Sequence, residues 1–204
     1  MIFDELGNEY RAKIEALSNE AIKLKINEKM PINKMGKLKV TIACAIPKNS
    51  KFDDIVDKLT QLGVDRIIPM VTERVIIKLD KHKEALRKAR WEKIALNASE
   101  QSKRSGLVVI DGPTNISDLI ANSSGFDLKL IPTLQGQRNS LKDAFNHAPK
   151  NLLILIGPEG DFTEDEVALA MDSGFIPVSL GKEVLRVETA AVLVASFIKF
   201  YEND

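Results

Sequence analysis

Two glycine-bearing stretches in the second half of the chain carry the residues best suited to hold a ligand. The first, LLILIGPEGDFTEDE at residues 152–166, is an apolar run that stops at Gly157 and continues as a polar, helix-like segment. A buried strand that ends in such a loop often holds a ligand at the carboxyl edge of an α/β sheet. The loop also contains Glu159 and Asp161, which would repel a phosphate. It therefore favours a ligand with hydroxyl groups, an amine or a cationic centre.

This loop differs from the common nucleotide-binding motifs. A dinucleotide fold requires Gly-x-Gly-x-x-Gly, and the loop contains only Gly157-x-x-Gly160. A P-loop requires Gly-Lys-Ser or Gly-Lys-Thr, and the sequence contains neither. An isolated pair of glycines is also typical of an ordinary turn between a strand and a helix, and the spacing alone leaves that alternative open.

The second stretch, SLGKEVLRVETAAVLVASFIKF at residues 179–200, repeats the order of strand, glycine, loop and helix. Its loop places Arg186, Glu188 and Thr189 beside an apolar helix, so their polarity requires an explanation. They either act on a ligand or serve the fold, with Glu188 and Thr189 capping the helix and Arg186 pairing with a nearby acid. The spacing does not decide between the two.

Other reactive side chains are isolated in the sequence. Cys44 lies inside an apolar strand and is interpreted as a core residue. As the only cysteine it cannot form an internal disulfide, which suits a reducing cytosol. His82 and His147 stand apart and are interpreted as surface residues, so no metal site is expected.

The composition is that of a folded protein without a membrane span. Hydrophobic residues make up 44% of the 204 residues, and 29 basic side chains balance 29 acidic ones. A net charge of zero argues against a tail-driven nucleic-acid binder but allows a local basic patch. The sequence has no apolar run long enough for a span, and its acidic start does not fit a signal peptide, so the protein is expected to be cytoplasmic.

Both glycine loops must be positioned by regular elements, and the hydrophobic pattern predicts an α/β fold. Buried strands are predicted at residues 38–46, 66–71, 107–110, 127–131, 152–156 and 176–180. Helices are predicted at about residues 52–62, 81–103, 115–121, 139–146, 163–173 and 187–202. This alternation indicates a mainly parallel sheet covered on both faces.

Individual residues sharpen this prediction. Pro69 places its strand at a sheet edge or near a bulge, because proline cannot donate a ladder hydrogen bond. Thr163 and Glu166 form a capping-box pattern that begins the helix after the first glycine loop, and Gly174 ends that helix.

The two ends of the chain support further predictions. Residues 10–27 alternate in polarity around Ser18, which predicts a hairpin that must pair with a further strand, and a domain boundary is placed near residue 32. The final helix is predicted to carry an apolar stripe of Ala190, Leu193, Val194, Phe197, Ile198 and Tyr201. Further apolar residues lie around it, so it needs cover on most sides, which predicts a homodimer.

Four stretches together resemble the RsmE family of SPOUT-class methyltransferases, which modify N3 of a uridine in small-subunit ribosomal RNA. LIGPEGDFTEDEV at 155–167 and LGKEVLRVETA at 180–190 are similar to the two late signature loops of this family. Residues 58–75 and 90–104 are similar to earlier motifs that end in Ser/Thr-Glu-Arg and Glu-Gln-Ser-x-Arg. The resemblance runs in order from about residue 38 to residue 200.

The resemblance implies a fold and a domain plan beyond what the residue pattern gives. It implies a SPOUT-type α/β domain at residues 33–204, with a mainly parallel sheet and a C-terminal trefoil knot. It also implies that residues 1–32 are a short β remnant of a PUA-like, RNA-binding barrel.

The cofactor that the resemblance implies is S-adenosyl-L-methionine, bent and held by loops that follow three strands. The implied contacts are Thr133, Leu134, Ile156, Gly157, Glu159, Gly160, Ser179, Leu180, Gly181, Leu185 and Thr189. An adenosyl sulfonium carries no phosphate, and glycines let the backbone approach adenine and ribose closely. Asp161 departs from the family, in which a second glycine is common at this position.

For catalysis, the resemblance implies methyl transfer to a uracil nitrogen. We expect Arg186 to polarise a uracil carbonyl and stabilise the developing uracilate. Glu188 would orient Arg186 or accept the proton. The alternative is that both residues only hold the knot loops together.

A basic segment indicates where RNA binds. Residues 78–104 contain nine basic and four acidic side chains, which suits a phosphate backbone. Because they fall within the family-like motifs, the expected RNA contacts are Arg74, Lys93, Gln101 and Arg104. For most of the lysines, an ordinary solvated helix face is the alternative. The implied partners are ribosomal RNA in the assembled small subunit and a second copy of the chain.

Two other functions remain open from the sequence. One is a different SPOUT activity, such as ribose 2′-O-methylation of RNA. The other is an RNA-binding protein whose catalytic activity is weakened by its short N-terminal part. A Rossmann-type enzyme acting on a small molecule is disfavoured by the missing Gly-x-Gly-x-x-Gly.

Overall fold

Eleven strands and six helices occupy the described residues of the computed structural model, which are 2–4, 8–30, 38–47, 52–75, 81–104, 106–145 and 148–201. The strands are β1 (Ile2–Phe3), β2 (Glu9–Leu17), β3 (Ile22–Lys29), β4 (Lys39–Ala45), β5 (Arg66–Val71), β6 (Val109–Ile110), β7 (Thr114–Asn115), β8 (Leu128–Pro132), β9 (Asn139–Ser140), β10 (Asn151–Ile156) and β11 (Ile176–Ser179). The helices are α1 (Phe52–Gln61), α2 (Lys81–Gln101), α3 (Ile116–Ala121), α4 (Leu141–Ala144), α5 (Glu164–Asp172) and α6 (Val187–Tyr201). Within these residues no helix has both the length and the hydropathy to cross a bilayer.

The first three strands form a small antiparallel sheet in the order β1-β2-β3. The predicted hairpin is confirmed: β2 and β3 pair through a turn in which the Ser18 amide donates to the Ala21 carbonyl at 3.0 Å. The further strand that the hairpin needed is β1, which pairs with β2. The predicted boundary near residue 32 lies outside the described residues.

The other eight strands form one parallel sheet that confirms the predicted α/β architecture. Its order is β6-β5-β4-β10-β8-β11-β9, with β7 pairing beside β5. Alternate residues of β10 face opposite sides, since Leu152 and Ile154 belong to one apolar cluster and Leu153 and Leu155 to another. The first cluster includes residues of α1, α2, α4 and α6, and the second includes residues of α3 and α5. Both faces of the sheet are therefore covered.

The strand that contains Pro69 corrects one expectation. β5 pairs with β4 on one side and with β6 and β7 on the other, so it is not an edge strand. The second side is interrupted, because β6 pairs at Arg66 and Ile67 and β7 pairs at Met70 and Val71. Pro69 lies in the gap between them. The two-residue strands β7 and β9 were not predicted, since such short pairings leave no periodic pattern in the sequence.

The buried face of the final helix coincides in part with the predicted apolar stripe. Ala190, Val194 and Ile198 of that stripe are buried, whereas Leu193 and Tyr201 are 42% and 38% exposed. The buried residues are Val187, Ala190, Ala191, Val194, Ala195 and Ile198. Small and β-branched side chains let α6 pack closely against α1, β4 and β10. Much of the cover that this helix requires comes from its own chain.

Cys44 lies on β4 and is fully buried, which confirms its interpretation as a core residue. Burial raises the pKa of its thiol far above the ordinary value, because the thiolate would lose its hydration. A thiol held in its neutral form is a poor nucleophile.

Candidate functional site

Three adjacent strands end at the same edge of the parallel sheet, and their loops surround a pocket. β10, β8 and β11 lie side by side in that order, so their carboxyl ends coincide. We call the segments that follow them the glycine loop (157–163), the β8 loop (133–138) and the β11 loop (180–186). All three contribute residues to the pocket, and Ala190 of α6 completes its lining.

Most of the predicted cofactor contacts meet in this pocket. Those that line it are Thr133, Leu134, Ile156, Gly157, Glu159, Leu180, Gly181 and Leu185. Gly160, Ser179 and Thr189 are not part of the lining. The lining also includes Pro132, Pro158, Glu183 and Val184, which lie within the three loops that the resemblance implied, and Arg138, Asp161 and Ala190, which were not predicted.

The glycine loop folds back over its own aromatic residue. Phe162 is fully buried, and a Cβ added to Gly157 would lie 2.8 Å from Phe162 Cε2. Only glycine fits at position 157 without displacing the ring. The predicted capping box follows, with the Thr163 amide donating to Glu166 Oε2 at 2.9 Å and the Glu166 amide donating to Thr163 Oγ1 at 3.2 Å. This box sets the first turn of α5 directly after the loop.

Asp161 joins the glycine loop to the β8 loop. Its backbone has φ +60°, a left-handed conformation that glycine adopts easily and that aspartate tolerates better than most residues. Its carboxylate accepts hydrogen bonds from Thr133 Oγ1 and from the Leu134 amide, both at 2.9 Å. Gln135 Nε2 adds a third link by donating to the Phe162 carbonyl at 2.7 Å. The positive φ explains why glycine suits this position, and the carboxylate supplies a link that glycine lacks.

The turn after β5 braces the glycine loop from another side. Arg74 Nη1 donates to the carbonyl of Gly160, and the Glu73 amide donates to Glu166 Oε1 at 2.9 Å. Arg74 is exposed, and the contact that the structure gives it is with the glycine loop. Its expected contact with RNA stays a prediction.

The β11 loop turns sharply at Gly181, whose φ of +131° would strain any residue with a side chain. Ser179 Oγ donates to the Gly181 carbonyl at 3.1 Å and accepts from the Gly181 amide at 3.3 Å. The hydroxyl of Ser179 therefore stabilises the turn.

The predicted catalytic residues lie where the β11 loop enters α6. Arg186 precedes the helix, its side chain is exposed, and its carbonyl accepts the Ala190 amide at 2.9 Å. Glu188 is half-buried in the first helical turn, and Thr189 is exposed. Neither Arg186 nor Glu188 lines the pocket, but both lie between Leu185 and Ala190, which do. The pair therefore lies next to the pocket lining along the chain.

The basic segment divides into exposed residues and one residue held inside the fold. Lys93 and Gln101 are exposed on α2, whereas the side chain of Arg104 is only 14% exposed. Arg104 Nη1 donates to the carbonyls of Thr60 and Val64 at 3.2 and 2.6 Å, and Nη2 pairs with Asp65 at 3.3 Å. Burial lowers the pKa of Arg104, and the Asp65 carboxylate partly opposes this effect. Arg104 thus joins the end of α1 to the end of α2. Lys78 lies outside the described residues.

Replacing Arg104 with methionine is expected to lower the free energy of unfolding by about 1–3 kcal/mol, because two carbonyls lose their donor. The matched variant Lys93→Met removes an exposed cation and should change stability by less than about 0.5 kcal/mol. Urea denaturation followed by circular dichroism measures both. Equal stabilities would contradict the internal role of Arg104.

The described residues contain no group of three or more His, Cys, Asp or Glu side chains that could hold a metal ion. His82 is exposed on α2, and His147 lies outside the described part of the chain.

The chemistry of the pocket suits an adenosyl sulfonium. Its charged lining residues are Glu159, Asp161, Glu183 and Arg138, so acids predominate over the single base. Negative charge favours a cationic sulfonium and amine and disfavours a phosphate. Gly181 leaves the backbone uncovered at one wall of the pocket, which permits close approach of a flat base or a ribose, whereas the Cβ position of Gly157 faces the buried Phe162 ring.

Comparisons with known proteins agree with this site. A family model that describes an RNA methyltransferase domain matches residues 34–199. Ribosomal RNA small subunit methyltransferase E of Mesomycoplasma hyopneumoniae is 36% identical over 185 residues, which cover 91% of this chain and 78% of that protein. A crystal structure of ribosomal RNA small subunit methyltransferase E from Neisseria gonorrhoeae, bound to S-adenosyl methionine, has a TM-score of 0.86 and 28% identity, covering 98% of this chain and 81% of that one. A methyltransferase of Legionella pneumophila with bound SAM has a TM-score of 0.85 and 31% identity, and the match again covers 98% of this chain and 81% of that one.

Proposed function

Since this chain belongs to the ribosomal RNA small subunit methyltransferase E family, we propose that it transfers a methyl group from S-adenosyl-L-methionine to N3 of a uridine in small-subunit ribosomal RNA. The observation that carries the proposal is the acidic, glycine-bearing pocket enclosed by the glycine, β8 and β11 loops. Relatives that cover most of this chain include methyltransferases with that cofactor bound.

The cofactor is held by backbone and side-chain groups of the three loops. Gly181 allows close contact with adenine or ribose, while Glu159 and Glu183 supply the negative charge that a sulfonium and an amine require. The hydrogen bonds of Asp161 keep the glycine loop and the β8 loop in fixed relative positions before the ligand arrives. Such preorganisation reduces the entropy lost on binding. Ser179 stabilises the turn at Gly181, and the Gly160 carbonyl ties the glycine loop to Arg74.

Bound S-adenosyl-L-methionine would supply an activated methyl group, and residues next to the pocket lining along the chain would act on the uracil. Arg186 is exposed beside Leu185, so its guanidinium is accessible to a base that enters from solvent. It polarises a uracil carbonyl and stabilises the negative charge that develops when N3 loses its proton. Glu188 orients Arg186 or accepts that proton. RNA contacts at Arg74, Lys93 and Gln101 hold the substrate strand, with the target uridine unstacked.

The wider organisation follows the same family plan. Residues 33–204 form a SPOUT domain with a C-terminal trefoil knot, and the β1-β2-β3 sheet within residues 1–32 corresponds to part of a PUA-like barrel. The knot is supported by the path of the chain, which leaves β11 near one edge of the sheet and returns in α6 to pack on β4 and β10. The exposed apolar residues Leu193 and Phe200 of α6 support a homodimer.

The enzyme acts in the cytoplasm, on ribosomal RNA in the assembled small subunit.

Mass spectrometry of modified nucleosides tests this function. Small ribosomal subunits that lack the modification are incubated with the full chain and S-adenosyl-L-methionine carrying a labelled methyl group, and the RNA is digested to nucleosides. Labelled 3-methyluridine is the expected product. Label in a 2′-O-methyl nucleoside would instead identify a different RNA methyltransferase. No label, together with tight RNA binding, would identify an RNA-binding protein without catalytic activity.

A further inference from the structure

Arg138 carries the only positive charge among the described residues that line the pocket. Its side chain is half-buried, and Nη1 donates to the carbonyl of Thr133 at 3.1 Å. Within the described part of the chain, no carboxylate forms an ion pair with it. A guanidinium has five N–H donors, and this single hydrogen bond leaves most of the fork available.

The backbone around Arg138 is fixed on both sides. The β8 loop before it is held by the hydrogen bonds from Thr133 and Leu134 to Asp161. The strand β9 directly after it pairs with β11, with Ser140 opposite Ser179. Arg138 therefore lies on a segment anchored between the β8 and β11 loops, where its position does not depend on a bound ligand.

A partly buried cation without a carboxylate partner is costly unless an anion approaches it. Among the described residues, none of the three acids of the pocket pairs with Arg138, so an anionic group of the ligand can take that position. At neutral pH, S-adenosyl-L-methionine has one anionic group, the carboxylate of its methionyl part. A guanidinium binds a carboxylate through two parallel hydrogen bonds, which is the strongest such arrangement.

We propose that Arg138 binds the methionyl carboxylate of S-adenosyl-L-methionine and thereby makes the pocket select for the amino-acid end of its ligand. The inference rests on the proposed function and deepens it by assigning the groups at one end of the cofactor. Arg138 holds the carboxylate, while the acidic side chains of the pocket favour the α-amino group and the sulfonium.

Ligands that differ only at the amino-acid end separate this role from any other. The thioether S-adenosylhomocysteine keeps the carboxylate, its decarboxylated analogue keeps only the amine, and 5′-methylthioadenosine keeps neither. Using thioethers removes the charge of the sulfonium from the comparison. Isothermal titration calorimetry of the full chain measures the affinity for each, in the wild type and in Arg138→Gln, Arg138→Lys and Lys142→Gln.

Arg138→Gln is expected to weaken S-adenosylhomocysteine binding by about 10- to 100-fold, the range for losing hydrogen bonds between charged groups. The same variant should bind 5′-methylthioadenosine as the wild type does, and the decarboxylated analogue equally or more tightly, because the acids then act on the amine without an opposing cation. Arg138→Lys should recover part of the affinity. Lys142→Gln, which removes an exposed cation four residues along the chain, should leave all three affinities unchanged.

Three results would overturn the inference. Equal losses for the three thioethers in Arg138→Gln and Arg138→Lys would mean that Arg138 only maintains the shape of the pocket. Unchanged affinity for all three, with weaker RNA binding, would assign Arg138 to an RNA phosphate. A wild-type protein that binds none of the three would defeat the proposed function itself, an outcome distinct from the other two because it appears before any substitution.

Discussion

Replacing Arg186 with alanine is expected to lower the rate of methyl transfer at saturating substrates by about 100- to 1,000-fold, the usual effect of removing one group that stabilises developing charge. The affinity for S-adenosyl-L-methionine should stay close to that of the wild type, because Arg186 is exposed and is not part of the pocket lining. Single-turnover assays on small ribosomal subunits and calorimetry with the cofactor measure the two quantities separately.

The comparison with other substitutions identifies what Arg186 does. Arg186→Lys keeps the charge but loses the planar fork, so a partial recovery of rate is expected. Glu188→Gln should shift or flatten the dependence of the rate on pH if the carboxylate accepts the proton, and should lower the rate uniformly if it only orients Arg186. Lys58→Ala, which removes an exposed cation of α1, serves as the control. A full rate in Arg186→Ala would end the catalytic assignment, and a loss of cofactor affinity would give Arg186 a structural role.

The elements that position this site could be predicted because their signals are local. The run of apolar residues at 152–156 must be a buried strand, and the spacing of Thr163 and Glu166 fixes where the next helix begins. Gly174 has a positive φ and follows the end of α5, as expected. Each of these outcomes depends on a few neighbouring residues, so the sequence alone is enough to predict it.

Contacts between distant segments could not be predicted in the same way. Arg104 belongs to a basic segment, which favoured an RNA contact, but its donors reach the Val64 carbonyl 40 residues earlier in the chain. Similarly, the link from Asp161 to Thr133 spans 28 residues and depends on β8 and β10 being adjacent. Arg138 lies outside every recognised motif, and only the folded chain brings it to the pocket.

The buried face of α6 shows a third reason why the sequence alone does not predict every contact. Ala190, Val194 and Ile198 of the predicted stripe are buried, yet the helix also buries Ala191 and Ala195 and exposes Leu193. A helix that packs closely on a sheet needs small side chains at the contact. A hydrophobicity pattern, in contrast, emphasises large apolar side chains. The shape of the partner surface, which the sequence does not display, decides which residues face it.

Gly157→Ala is expected to weaken S-adenosyl-L-methionine binding by about 10- to 100-fold, equivalent to roughly 1.4–2.8 kcal/mol. The added methyl group would lie 2.8 Å from Phe162 Cε2 and 3.2 Å from Cζ, and the ring is fully buried, so it cannot move aside. Overpacking of this kind typically costs about 1–3 kcal/mol and is relieved by backbone shifts. The part of the chain that can shift is the glycine loop, and a displaced loop no longer matches the cofactor.

Gly160→Ala in the same loop is a matched control. A Cβ at Gly160 would lie 3.5 Å from Arg74 Cδ, an ordinary contact with a flexible side chain, so affinity should stay within about twofold of the wild type. Phe162→Leu removes the ring atoms that collide with a Cβ at Gly157, so in that background Gly157→Ala should cost less, with a coupling energy of about 1 kcal/mol or more. Calorimetry on the wild type, Gly157→Ala, Phe162→Leu and the double variant gives the coupling energy directly. Thermal melts confirm that all four are folded. If the two glycine variants bind the cofactor equally well, the loop does not depend on the contact between Gly157 and Phe162. If the losses of cofactor affinity in Gly157→Ala and Phe162→Leu simply add in the double variant, the two positions are not coupled. The collision with the Phe162 ring is then not the cause of the loss in Gly157→Ala.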